Sequence, residues 1–186
     1  LGVEPDGKNI NEECGSQNTE RMASLTKETG ADIGIALDGD GDRVILADEQ
    51  GRIVDGDAVM AFCGREMIRA GKGGHIVTVS STAGIIGLPW HTAYAGTKHA
   101  LVGMSESLRY DLRKHNIGIS VVCPGLVNTG LVQSVKIHAR PEEADKLREL
   151  APKIAITPDK VADLIIKSIR NRKFMVITSF DIKLFY

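Results

Sequence analysis

Apolar positions along the chain fall into two periods. Short continuous apolar runs, bounded by Gly, Pro and acidic residues, recur at 31–37, 43–47, 75–80, 116–124 and 174–178. Runs of this length read as buried strands. Between them, apolar residues sit three and four apart. Residues 19–29 carry Met22, Leu25 and Thr26 on one face, with Thr19 placed to cap and Gly30 to stop the helix. Residues 57–70 carry a stripe of Val59, Met60, Phe62, Cys63, Met67 and Ile68, ended by Gly71-Lys-Gly-Gly74. A helix through 94–115 shows a 3.6-residue face of Ala100, Leu101, Met104, Leu108 and Leu112. Residues 142–150 form a polar helix, and Pro158 opens another that runs to Ile169 with Asp159 in its first turn. Asp48-Glu-Gln-Gly51 is hairpin chemistry before a short strand at 52–54. Strands alternating with helices predict a three-layer α/β fold, with a mainly parallel sheet and a β-hairpin insertion near 43–54.

Composition narrows the classes. The chain has 186 residues, 42% hydrophobic, which is enough for a core. Aromatics are 4%, too sparse for a base-stacking platform. The formal net charge of −1 attracts neither nucleic acid nor acidic membranes. That average hides a split. Residues 1–63 hold 5 Lys and Arg against 14 Asp and Glu, net −9; the remainder hold 18 against 10, net +8. Such asymmetry fits two domains, a charged tail, a join between unrelated pieces, or ordinary surface variation. Cys14, Cys63 and Cys123 are far apart and odd in number, so no zinc site or disulfide framework is expected. No 18-residue apolar span and no secretory leader are visible, and a reducing cytoplasm is the expected compartment.

Two stretches carry candidate chemistry. Asp38, Asp40 and Asp42 alternate with Gly39 and Gly41, so a tight loop can gather three carboxylates. Three like charges that close repel, and a hard divalent cation such as Mg²⁺ is one natural partner; a solvated acidic turn is the other reading. The pattern is not an EF-hand, since the downstream bidentate Glu is missing. The second stretch is Ser80-Ser81-Thr82-Ala83-Gly84 followed by Tyr94-Ala-Gly-Thr-Lys98. Tyr94 and Lys98 share a helix face. A phenol with an ordinary pKa of about 10 is a poor base at neutral pH, and an ammonium one turn away stabilises its phenolate. A serine delivered from a strand end can hydrogen-bond a developing oxyanion, worth about 3 kcal/mol. Singly, these residues also read as a packing tyrosine, a solvated lysine and a helix cap.

Gly74-His-Ile-Val-Thr-Val-Ser-Ser-Thr-Ala-Gly84, Tyr94-Ala-Gly-Thr-Lys98 and Val121-Val-Cys-Pro-Gly125 with Thr129 resemble the short-chain dehydrogenase/reductase family. The resemblance covers about 65–186. It implies a Rossmann-like fold, with Tyr94 as general acid/base, Lys98 as its modulator and ribose contact, and Ser81 as orienter. It implies that Pro124, Gly125, Val127 and Thr129 flank the nicotinamide of NAD(P), and that 142–150 belongs to a mobile substrate lid. The family's glycine-rich dinucleotide turn, its Asn-Asn-Ala-Gly turn and its helix asparagine have no counterpart here; Ile53 stands at about the asparagine's distance before Ser81. Residues 1–62 instead resemble the metal-binding domain of the α-D-phosphohexomutases, through Glu4-Pro-Asp-Gly-Lys-Asn-Ile-Asn11, Cys14-Gly-Ser16, Asp38-Gly-Asp-Gly-Asp-Arg43 and Ile53-Val-Asp-Gly-Asp57. That resemblance implies Mg²⁺ on Asp38, Asp40 and Asp42, with Arg43 meeting phosphate. It also implies that mutase turnover needs further domains.

The two resemblances meet inside the helix at 57–70. The expected protein is a chimera, truncated and recombined: a phosphohexomutase-like segment at 1–62 and a dehydrogenase-like segment at 63–186, merged into one globular domain. Residues 32–37 are expected to replace the dehydrogenase fourth strand, so that one sheet continues across the join. The aspartate loop and Ser81 would then share its C-terminal edge, making NAD(P)H binding weak and strengthened by Mg²⁺. The expected function is a folded scaffold without full turnover that carries the Ser-Tyr-Lys site. The alternatives are residual NAD(P)-dependent oxidoreductase activity and a Mg²⁺-binding phosphosugar mutase fragment. A small-molecule ligand is the expected partner at most, with no nucleic acid and no membrane; an unpaired sheet edge favours self-association.

Overall fold

The computed structural model describes residues 9, 11–39, 41, 43–87, 89, 91–129, 149 and 154–179. The helix expected at 142–150, apart from Glu149, and two of the three loop aspartates, Asp40 and Asp42, lie outside the described residues. The chain divides into two compact units, Leu1–Arg69 and Ala70–Tyr186.

In the first unit, α1 (Glu20–Thr29) packs on β1 (Ile33–Leu37) and β2 (Val44–Asp48). Gly30 ends α1 in the left-handed conformation, φ 64°. Thr19 occupies the cap position, but its backbone is already helical and its side chain makes no cap bond, contrary to the expected role. β1, β2 and β3 (Ile53–Val54) form an antiparallel sheet in that order. β1 alternates: Gly34 and Ala36 are buried under α1, while Ile33, Ile35 and Leu37 are exposed. The core is small, made of Met22, Ala23, Ala36 and Ala47. Gly34 is required there, because a Cβ would run into Met22 Sδ and Thr26 Oγ1. Asp48 closes the β2–β3 turn, accepting from the Arg52 and Gln50 N–H groups and from Arg52 Nε. The Arg52 backbone bond, the largest contribution, and its guanidinium hold the Asp48 carboxyl below the usual range.

The expectation of one sheet continuing across the join is corrected here. β1 is joined to β2 by only six residues, too few for the crossover a parallel pair needs, and it pairs antiparallel. It contributes nothing to the parallel sheet, so the shared edge for the aspartate loop and Ser81 falls with it.

The stretch where the join is expected folds as one continuous helix, α2 (Gly56–Ala70). The Asp55 carboxylate caps it by accepting from Ala58 N–H at 2.9 Å. Glu66 and Arg69 pair at 2.7 Å, and the Arg65 guanidinium sits 5.6 Å from the Phe62 ring centre. None of its residues is buried.

In the second unit, β4 (Gly74–Val79), β5 (Ile117–Cys123) and β6 (Met175–Ile177) form a parallel sheet in that order. β5 is the centre, with Val121, Val122 and Cys123 fully buried. α3 (Thr92–Asp111) and α4 (Pro158–Arg170) both pack on β5. Pro158 opens α4 as expected, and Thr157 Oγ1 accepts from Lys160 N–H. The apolar face read for α3 is rotated from the one buried. Ala95 and Ser105 face inward, whereas Met104 and Leu108 are exposed. Small residues allow close approach to the sheet, and Ser105 satisfies its hydroxyl on the Leu101 carbonyl at 2.7 Å. At the opposite end of the sheet, His75 and Ser120 lie 2.8 Å apart. Ser120 donates its one hydrogen to the Lys173 carbonyl, so it accepts from His75 Nε2–H. Burial, then the Arg172 charge, push the His75 pKa down. Among the described residues, no helix is long and apolar enough to cross a membrane.

Candidate functional site

The C-terminal ends of β4 and β5 lie side by side, with Val79 opposite Val122. Two backbone bonds carry the pairing past the strand ends: Ser80 N–H donates to Val122 O at 2.7 Å and Thr82 N–H to Pro124 O at 2.9 Å. Successive side chains on extended backbone point to opposite sides, and the two serines divide their roles accordingly. Ser80 is buried and donates to the Lys98 carbonyl at 2.8 Å. Ser81 is extended and caps the short 3₁₀ turn Thr82–Gly84, its Oγ accepting from Ala83 N–H at 3.2 Å. That bond uses an acceptor site and leaves the Ser81 hydrogen available to donate.

Gly84 ends this turn directly beneath α3. A Cβ there would meet Ser80 Oγ and would lie 2.6 Å from the Lys98 carbonyl oxygen. Lys98 is therefore held at both ends, because its ammonium also donates to the Val79 carbonyl at 3.3 Å. The same ammonium sits 5.6 Å from the Tyr94 ring centre. Tyr94 lies in the first turn of α3 and is 47% exposed, open to a ligand. The His91 ring meets it edge-to-face, centres 6.3 Å apart, with Nδ1 fixed on the Pro89 carbonyl at 2.7 Å. The structure thus places the turn of Ser81, the ammonium of Lys98 and the ring of Tyr94 along one sheet edge.

Pro124 and Gly125 follow β5 on the same edge. Gly125 N–H donates to Thr178 Oγ1 at 2.9 Å, and a Cβ on Gly125 would run into Ser179 Oγ. Val127 forms a parallel bridge with Ile156. Asn128 N–H donates to Ile156 O at 2.9 Å, Ile156 N–H to Leu126 O at 3.0 Å and Thr129 N–H to Val127 O at 2.9 Å. These four sequence-predicted residues follow β5 on a locally braced backbone. Cys123, next to Pro124, is fully buried, and burial raises its thiol pKa, with Ser80 and the Ser81 backbone only partly opposing.

The other predicted stretch is partly described. The Asp38 side chain is 1% exposed; its Oδ1 accepts from Arg43 N–H at 3.0 Å and its Oδ2 from Arg43 Nε at 2.9 Å. Asp38 N–H donates to Arg43 O at 3.3 Å, and Gly41, at φ 71°, donates to Asp38 O at 3.1 Å. Asp38 is the clasp of this loop, and Arg43 is its partner. Among the described residues, no group of three His, Cys, Asp or Glu side chains could hold a metal.

Sequence reasoning missed Ser80 and His91. Ser80 was legible from the strand alternation, which allows only one of two adjacent serines to face outward. His91 carries no such signal, because its contact depends on the bend before α3.

The fold defines an α/β chain of two units, one of them bearing a Rossmann-like parallel sheet with Ser81, Lys98 and Tyr94 near its strand ends. Comparison makes this specific. Residues 58–140 match the family described as short chain dehydrogenase, and residues 2–51 match phosphoglucomutase/phosphomannomutase, alpha/beta/alpha domain II. Among solved structures, a short chain dehydrogenase/reductase from Burkholderia phymatum, solved in complex with NAD, superposes with a TM-score of 0.56 at 27% identity. That superposition covers 69% of this chain and 50% of that one. A short-chain dehydrogenase from Novosphingobium aromaticivorans gives a TM-score of 0.51 at 28% identity, covering 69% and 40%. Among curated proteins, phosphoglucosamine mutase of Citrifermentans bemidjiense is 52% identical over 88 residues, 46% of this chain and 19% of that protein. The phosphoglucosamine mutase of Caulobacter vibrioides is 39% identical over 156 residues, 78% and 35%. The chain spans well under half the length of these curated relatives. One sequence thus carries a stretch that matches short chain dehydrogenases and a stretch that matches phosphohexomutases.

Proposed function

We propose that the chain is a chimera, a folded α/β scaffold that keeps the carbonyl-facing half of an oxidoreductase site and does not complete a catalytic cycle. In this reading Ser81 donates its hydroxyl hydrogen to a carbonyl or alcohol oxygen. The Tyr94 phenol exchanges a proton with that oxygen, and Lys98 steadies the phenol's charged form electrostatically. A bound NAD(P) would supply or take up the hydride in chemistry of this class. The described residues do not fit a whole dinucleotide. A pyrophosphate is held by N–H groups where a glycine-rich turn opens a helix. Here the glycine-rich turn at 71–74 runs into β4, and Gly73 packs against Asn116, which a Cβ would meet at 2.8 Å. The observation that carries the reading is the pairing of β1: the strand preceding the dehydrogenase-like segment belongs to an antiparallel sheet of its own. The test is NAD(P)H oxidation against a panel of aldehydes and ketones. No turnover above buffer is expected. Turnover that Tyr94→Phe abolishes establishes residual dehydrogenase activity and overturns the reading.

For residues 1–62 a second reading is supported by the match at 2–51 and by the three alternating aspartates at 38, 40 and 42 in the sequence. The loop takes a divalent cation such as Mg²⁺ with carboxylate ligands. Calorimetric titration of Mg²⁺ should give binding that Asp40→Asn removes, and a flat titration of the parent chain defeats it.

A further inference from the structure

The free edge of β1 has a definite hydrogen-bonding character. Asp38 N–H bonds to the Arg43 carbonyl, so 38 and 43 form a bonded pair, and by alternation so do 36 with 45 and 34 with 47. Residues 33, 35 and 37 therefore turn their N–H and C=O groups away from β2. Leu37 confirms the assignment, since its carbonyl accepts from Ser16 N–H at 3.1 Å on that side. Ile33 and Ile35 have no backbone partner on this edge among the described residues.

The edge does not lie flat against solvent. It forms the floor of a groove of about 590 Å³, walled on one side by Met22, Leu25, Thr26 and Thr29 of α1 and at one end by Asn11 and Cys14. On the α1 side the floor is Gly34 and Ala36, and the apolar wall is Met22 and Leu25; Ile33, Ile35 and Leu37 project from the other face of the same edge and are exposed. The flanks are acidic. Glu12 and Glu13 adjoin the wall at the Leu37 end, Glu28 and Asp32 adjoin it at the Ile33 end, and all four are exposed. Arg21 and Lys27 are the nearby cations on α1, and Arg21 reaches Glu13 at 3.9 Å. Ser16, beside the groove wall, has a buried hydroxyl with no hydrogen-bond partner among the described residues.

We propose that the free edge of β1 accepts one extended, basic peptide segment as an added strand, held through the N–H and C=O groups of Ile33 and Ile35. Main-chain bonds at an open edge give such a segment its register, and its alternate side chains enter the apolar groove. Charge selects the occupant. A second copy would bring its own segment of net −9 against this one, whereas a strand flanked by Lys or Arg meets carboxylates at both ends.

The test uses the full chain and a synthetic peptide of alternating Val and Thr flanked by lysines, followed by amide hydrogen exchange and chemical-shift mapping. At saturation, exchange at Ile33 and Ile35 should slow by about tenfold, with Gly34, Ala36 and Ala47 unchanged. A glutamate-flanked peptide should bind at least about fivefold more weakly, a gap that closes at high salt. Methylating alternate peptide nitrogens should abolish binding. Ile35→Pro removes an N–H that the β1–β2 ladder does not use, so it should block binding while the hairpin amides stay protected. Glu12→Lys with Glu13→Lys should shift preference towards the glutamate-flanked peptide. The proposal is overturned if Ile33 and Ile35 gain no protection at saturation, or if the methylated peptide binds equally well. It is equally overturned if both amides are already protected without peptide. In a monomer that result means the edge is filled by the chain's own residues; in a sedimenting dimer, by a second copy.

Discussion

Gly84→Ala tests whether the edge that presents Tyr94 and Lys98 is set by a backbone contact. The added methyl would lie 2.6 Å from the Lys98 carbonyl oxygen and 2.9 Å from its carbon, and would displace Ser80 Oγ from the same space. Ordinary carbon contacts begin near 3.5 Å, so α3 must retreat by somewhat under about 1 Å. Overpacking of this kind costs about 1–3 kcal/mol. Breaking the 2.8 Å Ser80–Lys98 bond adds about 1 kcal/mol. The reduced freedom of the unfolded chain returns about 0.4–1 kcal/mol, leaving a net loss near 2 kcal/mol. Urea unfolding followed by circular dichroism reads this as a lower midpoint at constant slope for the transition of the parallel-sheet unit. Gly87→Ala is the control, since a Cβ there meets nothing within 4 Å. A Gly84→Ala midpoint equal to that of Gly87→Ala would show that α3 is not held by this contact.

Three further outcomes follow from the same geometry. Asp38→Asn removes a buried carboxylate that accepts twice from Arg43, so the β1–β2 hairpin should lose about 1–3 kcal/mol, seen as faster exchange of the Gly41 amide; unchanged exchange there rejects the clasp. His75 has a folded pKa below its ordinary 6.5, chiefly through burial. Below pH 6.5 the unfolded chain takes up a proton that the folded one refuses, so stability is full above 6.5 and declines as pH falls towards the depressed folded value. Urea midpoints at neutral and mildly acidic pH should differ more for the parent than for His75→Gln, and equal differences reject the assignment. A thiol reagent under native conditions should label exposed Cys63 readily and leave buried Cys123 untouched until unfolding; simultaneous labelling contradicts the packing of β5.

Much of the second unit was legible because its signals are local. The run at 75–80, the glycine at 84 and the four-residue spacing of Tyr94 and Lys98 each act within a few residues, and the strands and helices lie where the periods place them. The partner of Ile33–Leu37 was misread because a continuous apolar run looks the same in a parallel or an antiparallel sheet. The short connection to Val44 held the answer, since only a hairpin can close it. The face of α3 was misread for a different reason. Apolar periodicity marks Met104 and Leu108, but closeness to the sheet favours Ala95 and Ser105, whose small side chains carry little hydrophobic signal. The aspartates were visible as a cluster. That Asp38 would be spent on Arg43 depends on loop closure, which spacing alone does not specify.

Helix α2 begins where the matched stretch 2–51 gives way to the matched stretch 58–140, and it has no buried residue. What keeps it helical is internal: the Asp55 cap, the Glu66–Arg69 pair and the stacking of Arg65 on Phe62. A helix held by its own cap and side-chain pairs tolerates substitution at its exposed positions, because each change touches only bonds the helix makes within itself.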